Sequence, residues 1–332
     1  MHHKAHQRRR VWQADRGLFE PLDSGRASSK HLMILLSASD FAIEELTRAY
    51  NQTRTDYLIP MPMNPGRLQE YILLYDVALD RSKVAIEGDN IVGLGMLGKR
   101  KGMGWITRLG VLPDGRRRGV GGAILDALLT EAHGCGLPDV WLEVIHGNGP
   151  AHELFHKFQF RETRELIVAR RPPRTARNMS IVKDARQIRY LQHDEVLELH
   201  CRRKERMNWL SSVETMHNVR RLANFSPDDE AGYLQHELAH LSGIIVEFSD
   251  GARGWVSFQA TTLQLKRICV EVLRGDPVRT TAGLLELLHR LHSSQDAVVE
   301  NIPDDAAWPG YKEAGYFEVF RRIEMVRESV TE

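Results

Sequence analysis

The stretch Val111–Leu129, VLPDGRRRGVGGAILDALL, decides the fold of this chain. The apolar run GWITRLGVL reads as a strand, and it enters a turn that carries Arg116, Arg117 and Arg118, then Gly119, Val120, Gly121 and Gly122. A helix starts immediately: Ile124, Leu125, Leu128 and Leu129 form one apolar stripe, and the run ends at glycine. Glycines allow a close approach of backbone to ligand, and the first turn of a helix leaves amide donors without intrahelical partners. Those donors, the positive end of the helix dipole and the arginine charge together predict a pyrophosphate site. The alternative is a plain strand-to-helix turn with a solvated basic edge. A Walker loop is excluded, since no Gly-Lys-Ser/Thr follows. Only a GxGG core is present and no ribose-binding acid ends a nearby strand, so the dinucleotide fingerprint is missing too.

Outward from the loop, the pattern alternates between strand and helix. Upstream, the apolar run at 33–36 predicts a strand, and Phe41, Ile43, Leu46 and Tyr50 lie at helical spacing behind Ser39 or Asp40. GRLQEYILLYDVAL is helix-like, and SKVAIEGDNIVGLGML reads as two strands around Gly88-Asp89-Asn90. Downstream come a strand (VWLEVI), a short helix (PAHELFHKF) and a strand (FRETRELIVA). RRPPRTARN, with two prolines and four arginines, reads as a linker at 171–180. The second half repeats the order: helices near 194–206 and 212–223, strands at 242–249, 253–260 and 264–273, the helix TAGLLELLHRLH, the strand AVVENI, a short helix and a last strand. Placing AILDALL over GLLELLH, and FHKFQF over YKEAGY, gives nearly equal spacing, so a duplicated module is the economical reading. The expected division is a tail at 1–30, domains at 31–170 and 181–330, and the linker between them.

Composition narrows the function classes. The 332 residues are 42% hydrophobic and 27% charged, as in ordinary globular proteins. Lys plus Arg number 45 against 44 acids, a net charge of +1 that gives no reason to expect nucleic acid as a partner. No apolar run is long enough for a membrane helix. The start, MHHKAHQRRR, is not followed by an apolar segment, so no secretory leader is expected. Cys135, Cys201 and Cys269 fit neither a disulfide framework nor a CxxC site, and a cytoplasmic location is the default.

At the loop the residues resemble a known family. V-x-P-x-x-R-x-x-G-x-G, from Val111 to Gly121, is similar to the acetyl-CoA loop of the GCN5-related N-acetyltransferases (GNAT). L-x-V-x-x-x-N-x-x-A-x-x-L, through Leu142, Val144, Asn148, Ala151 and Leu154, resembles the strand–helix unit that follows it in that family. The resemblance covers 83–170 strongly, the first helices loosely and the second half by topology. It implies an α+β fold of two tandem GNAT-like domains, each a mixed, mostly antiparallel sheet splayed at the cofactor site, with the C-terminal copy degenerate. Acetyl-CoA is the implied co-substrate, and a small-molecule amine or peptide N-terminus the acceptor. The backbone of Leu109, Gly110 and Val111 would pair with the pantetheine arm. The amides from Arg117 to Gly122, with Arg116 beside them, would hold the pyrophosphate, and Asn148 would sit near the thioester.

Glu143 matches the general base of relatives that acetylate protein N-termini. On a strand it shares a face with Trp141 and Ile145, so the carboxyl is expected among apolar neighbours. The alternative for Glu143 is an acid at the sheet rim paired with an arginine. The family's thiolate-protonating tyrosine is Phe155 here, and its glycine before the last aromatic is Gln159. His152 and His156, on the same short helix, are candidate proton donors, and Arg108 is a candidate for the acceptor pocket.

In the second half, RGDPVRTTAG has Asp-Pro in place of the arginines, which argues against a pyrophosphate. Tyr311 falls where the family's phenol would be and reads as a core aromatic. A separate pattern, HExxH at His236, Glu237 and His240, is that of zinc peptidases, with Glu237 as base, but the expected third ligand is Val246. No metal is therefore expected. Three readings stand: an N-acetyltransferase, an acyl-CoA-binding regulator without turnover, and a zinc metallopeptidase.

Overall fold

The computed structural model describes residues 33–173, 184–224 and 240–328. The tail 1–30, most of the expected linker, and His236 with Glu237 lie outside the described residues. Two compact units divide the chain: Met1–Gln69 with Val77–Pro138, and Glu70–Asp76 with Asp139–Glu332.

The first unit holds strands β1 (Met33–Ser37), β2 (Lys83–Glu87), β3 (Asn90–Arg100) and β4 (Met103–Val111), paired antiparallel in that order. Helix α1 (Ile43–Gln52) packs on β3, and α2 (Pro65–Leu74) begins here and gives its last turn to the second unit. Helix α3 (Val120–Gly134) packs across β2, β3 and β4. The stripe expected from the sequence is its buried face: Ile124, Leu125, Leu128 and Leu129 are all in the core. Gly93 and Gly95 on β3 make the close approach possible. A Cβ on Gly93 would lie 2.9 Å from Ile124 Cδ1 and 3.0 Å from the Gly110 carbonyl oxygen.

The second unit is an eight-stranded sheet, in the order β5 (Asp139–Ile145), β12 (Phe317–Glu328), β6 (Arg161–Arg171), β11 (Asp296–Pro303), β10 (Gln264–Arg274), β9 (Arg253–Ala260), β8 (Ser242–Phe248) and β7 (Ala185–Leu191). The sequence places a domain boundary at 171–180, whereas the compact units part at 138/139. The final strand, β12, pairs with both β5 and β6, so these strands cluster with residues far along the chain. Helix α4 (Gly149–Lys157) joins β5 to β6, and α5 (His193–Arg202) and α6 (Val213–Asn218) precede β8. Helix α7 (Pro277–Leu291) packs across β8, β9 and β10 as α3 does on its own strands, and α8 (Trp308–Glu313) leads to β12. Gly254 on β9 makes room for α7: a Cβ there would lie 2.7 Å from the Glu271 carbonyl oxygen and 2.9 Å from Leu284 Cδ1.

Three details depart from the sequence reading. Strand β6 continues through Arg171, which is buried and donates from Nε to the Ala314 carbonyl at 2.8 Å, so the strand runs into the stretch expected as a linker. Helix α5 stops at Arg202, not near 206. Strand β7 was not foreseen, because its Ile188 and Tyr190 are exposed and the run has no buried alternating face. No helix among the described residues is long and apolar enough to cross a membrane.

The second unit also buries His200 and His289 as neutral groups. His200 Nε2 is 2.9 Å from Ser257 Oγ, and His289 Nε2 is 2.9 Å from Tyr316 Oη. Burial lowers each from the usual histidine range to about 3.

Two predictions follow from this packing. Gly93→Val and Gly254→Val force a branched side chain against backbone oxygens, and each should lower stability by about 2–3 kcal/mol, read as a fall in melting temperature. As pH falls below 6.5 the unfolded chain protonates His200 and His289 while the folded chain does not. Stability should therefore drop from about pH 6.5 towards about pH 3, by up to roughly 1 kcal/mol per pH unit for each histidine. Urea unfolding at about pH 7 and about pH 5 measures the slope, which His200→Asn should reduce.

Candidate functional site

In the first unit the site is built on an irregularity in β4. Leu94 pairs with Gly110 and Met96 with Thr107, so three residues of β4 span what two residues of β3 span. The extra residue bulges the strand, and Arg108 takes φ 55°, a left-handed value that few residues other than glycine adopt. Its side chain is held: Nη1 donates to Tyr50 Oη at 2.9 Å and the guanidinium lies over the Tyr50 ring. Arg54 Nη2 donates to the Leu109 carbonyl at 3.1 Å. Gly110 is required there, because a Cβ would lie 2.4 Å from Thr53 Oγ1.

After Val111 the chain makes one 3-10 turn, Pro113–Gly115, and reaches α3 through Arg117 at φ 59° and Gly119 at φ 86°. Gly119 is the N-cap and offers no side chain to the amides behind it. Among the described residues, no backbone carbonyl accepts from the amides of Arg117 through Gly122. Val120 is buried, and Gly121 and Gly122 are half-buried.

The three arginines do not contribute equally. Arg116 donates through Nη1 and Nη2 to the Asp56 carboxylate at 2.6 and 2.7 Å, and also reaches the Thr53 and Val111 carbonyls. It ties the loop to the segment after α1, and its hydrogen bonds hold the Asp56 carboxyl below its usual range. Arg118 donates to both oxygens of Glu87 at 2.9 Å. Arg117 is exposed and has no hydrogen-bond or ion-pair partner among the described residues. Carboxylates thus offset two of the three charges.

In the second unit, Glu143 lies on β5 directly opposite Glu324 of β12, so their side chains share one face. Glu324 is 1% exposed. Its Oε2 accepts from Arg164 Nε at 2.9 Å, from Arg206 Nη2 at 2.6 Å and from Thr163 Oγ1 at 3.1 Å. Arg206 lies 3.5 Å above the Trp141 ring and close enough to Glu143 to feel its charge. Asn301, buried and left-handed at φ 58°, donates from Nδ2 to Glu143 Oε1 at 3.4 Å and accepts from Arg322 Nη1 at 2.6 Å. The expectation of an apolar setting for Glu143 is therefore corrected: its face is polar and cationic. Arg206, Asn301, Arg322 and Glu324 were missed because nothing in their local sequence links them to β5.

Asn148 is the N-cap of α4, and its Oδ1 accepts from the Ala151 amide at 3.4 Å. Phe155 is buried, edge-on to Phe160. His152 Nε2 lies 2.7 Å from Glu162 Oε1, and His156 packs edge-on to His152. Gln159, where the family has glycine, is left-handed at φ 66°, so the glycine geometry persists without the glycine.

The second half has the same bulge. Lys266 pairs with Gln259 and Cys269 with Ser257, and Arg267 takes φ 51°. The parallel contact of β10 with β11 ends after Leu265 and Ala297. The helix behind it differs, however. Asp276 caps α7 and its Oδ1 accepts from the Arg279 amide at 2.8 Å, placing a carboxylate at the helix end that attracts anions. Tyr311 is buried against Trp308 and Tyr316, as a core aromatic. Of the HExxH residues only His240 is described; it is exposed, and its ring lies 6.1 Å from that of His193.

Because Gln159 adopts a conformation that costs an L-residue about 1–2 kcal/mol, Gln159→Gly should stabilise the protein by up to about 1 kcal/mol and raise its melting temperature. Gln159→Ala should not.

Residues 43–160 match the Acetyltransferase (GNAT) family. No curated protein matches the sequence. The GCN5-related N-acetyltransferase from Sphaerobacter thermophilus is 13% identical with a TM-score of 0.62, over 89% of this chain and 95% of that one. A tandem GNAT protein from the clavulanic acid biosynthesis pathway is 14% identical with a TM-score of 0.58, over 91% of this chain and 99% of that one. The mixed, mostly antiparallel sheets flanked by helices are thus the GNAT fold, and residues 43–160 are a GNAT acetyltransferase domain.

Proposed function

We propose that this chain is an N-acetyltransferase that moves acetyl from acetyl-CoA to a primary amine, either a small molecule or a peptide N-terminus. The observation that carries the reading is the run of bare amides from Arg117 to Gly122, on a glycine-capped helix behind a bulged strand, within a GNAT domain. Such a helix end attracts a diphosphate through unsatisfied N–H groups and its dipole. Arg117 adds the one cation of the loop that no carboxylate opposes among the described residues. Leu109, Gly110 and Val111 are the proposed pantetheine strand. Asn148, with Phe155 on the same helix, is proposed for the neighbourhood of the thioester.

In the reaction the amine nitrogen attacks the thioester carbonyl, the C–N bond forms and the C–S bond breaks. Glu143 is the proposed base that takes the ammonium proton, directly or through water. Phe155 cannot donate a proton, and a coenzyme A thiol is acidic enough to leave as thiolate and be protonated by water. The second half is proposed as a degenerate copy without cofactor: its bulge is retained, and Asp276 stands at the helix end where a phosphate would otherwise bind.

The test is calorimetric and kinetic. Acetyl-CoA should raise the melting temperature by mass action, and isothermal titration with coenzyme A should give saturable heat. Arg117→Glu with Gly121→Asp should weaken binding at least tenfold. Glu143→Gln should leave coenzyme A affinity unchanged and slow thiol release with an amine panel by roughly a hundredfold or more. No heat with coenzyme A overturns the proposal. Binding without turnover of any amine makes the protein a regulator, and peptide hydrolysis abolished by a chelator makes it a metallopeptidase.

A further inference from the structure

A cluster that the acetyl-transfer reading does not use lies at the junction of α4 and β6. His152 and His156 are four residues apart, so they stand one turn above the other on the same face of α4. Glu162, near the start of β6, reaches that face. Its Oε1 is 2.7 Å from His152 Nε2 and 3.6 Å from His156 Nε2, and donor atoms of all three residues lie within 4.8 Å of one another. The two imidazoles pack edge to face, with centroids 4.4 Å apart and planes at 88°, and both Nε2 atoms converge on one carboxylate oxygen.

A hydrogen bond accounts for half of this arrangement. His152 with Glu162 is a short, well-formed pair, but His156 at 3.6 Å is beyond hydrogen-bond range and is aimed at the same oxygen. Two nitrogens and one oxygen facing a common point are a ligand set. With metal–ligand bonds of about 2.0–2.1 Å, a tetrahedral zinc site has ligand–ligand edges of about 3.3 Å, which the 2.7 and 3.6 Å separations bracket. Imidazole with carboxylate suits zinc and neighbouring transition ions rather than calcium or magnesium, which take all-oxygen shells. Glu162 and His156 are exposed and His152 is half-buried, so the point is open to solvent and small side-chain rotations bring the donors together.

We propose that His152, His156 and Glu162 form a binding site for a divalent transition ion of the zinc class, with water completing the shell. The ion would clamp α4 to β6 across the turn that contains the left-handed Gln159. The proposed ligands include none of the HExxH residues, and the proposal does not depend on coenzyme A binding.

The 332-residue chain is titrated with Zn2+ against a chromophoric chelator, and with Co2+ by visible absorption. One equivalent should bind with the intense d–d bands of a four-coordinate ion, and Zn2+ should raise the melting temperature. His152→Ala, His156→Ala and Glu162→Gln should each weaken zinc binding at least tenfold. In chelator the same variants should stay folded and melt within a few degrees of the parent, because His156 and Glu162 are exposed and His152 is half-buried. Without any substitution, Zn2+ should protect His152 and His156 from carbethoxylation mapped by mass spectrometry. The proposal fails if the double variant His152→Ala/His156→Ala retains the affinity and the Co2+ spectrum. It also fails if the bound ion is lost instead with His236→Ala/His240→Ala, or with substitution of His2, His3 and His6, or if neither histidine is protected.

Discussion

The single extra residue in β4 at Arg108 is the constraint on which the first unit is organised. A bulge interrupts regular pairing between Thr107 and Gly110, and the ladder resumes at Gly110 and Val111 shifted by one residue. A left-handed arginine is unfavourable by itself, and the surroundings over-determine it. Tyr50 takes the Arg108 guanidinium, Arg54 takes the Leu109 carbonyl, and Thr53 fills the space that the missing Cβ of Gly110 leaves. All three come from the end of α1 and the residues just after it. The second half solves the same problem at Arg267, whose guanidinium is held by Gln259 and Glu70. The recurrence of a bulged arginine in both halves is a closer likeness than their sequences display.

The two halves part company at the helix that follows the bulge. α3 starts from a glycine with positive φ, α7 from an aspartate whose carboxylate already bonds an amide. One end attracts an anion; the other has its own. The arginines refine this contrast. Arg116, by its four contacts to Asp56, Thr53 and Val111, is a brace for the loop more than a source of field. Arg118 is neutralised by Glu87. What distinguishes the loop of the first unit is therefore backbone geometry supplemented by one charge, not a dense basic patch.

Around Glu143 the balance is electrostatic. Two carboxylates directly opposite on adjacent strands repel each other, and burial makes the repulsion worse. Arg164 and Arg206 on Glu324, with Asn301 on Glu143, offset it. Stacking on Trp141 covers the apolar face of the Arg206 guanidinium while its edge bonds Glu324. The cluster is sensitive to loss of Arg164 or Arg206, since Glu324 would stay buried with fewer partners.

The sequence by itself determined the loop and most of the elements, β7 excepted, because these depend on short-range physics. Helical stripes, alternating strands, the run of glycines and the Asp-Pro that replaces the arginines in the second half are all read within a few neighbouring residues. It was also enough to place Glu143 on a strand and to mark position 159 as one where glycine is usual. What it could not reveal is everything that pairing across the sheet brings together. That β12 lies between β5 and β6, that Glu324 faces Glu143, and that Arg206 and Asn301 reach the same face are consequences of strand order, which no local pattern encodes. The pairing of Arg116 with Asp56 and of Arg118 with Glu87 was hidden for the same reason: a charge read along the chain has no sign of its partner until the fold supplies one.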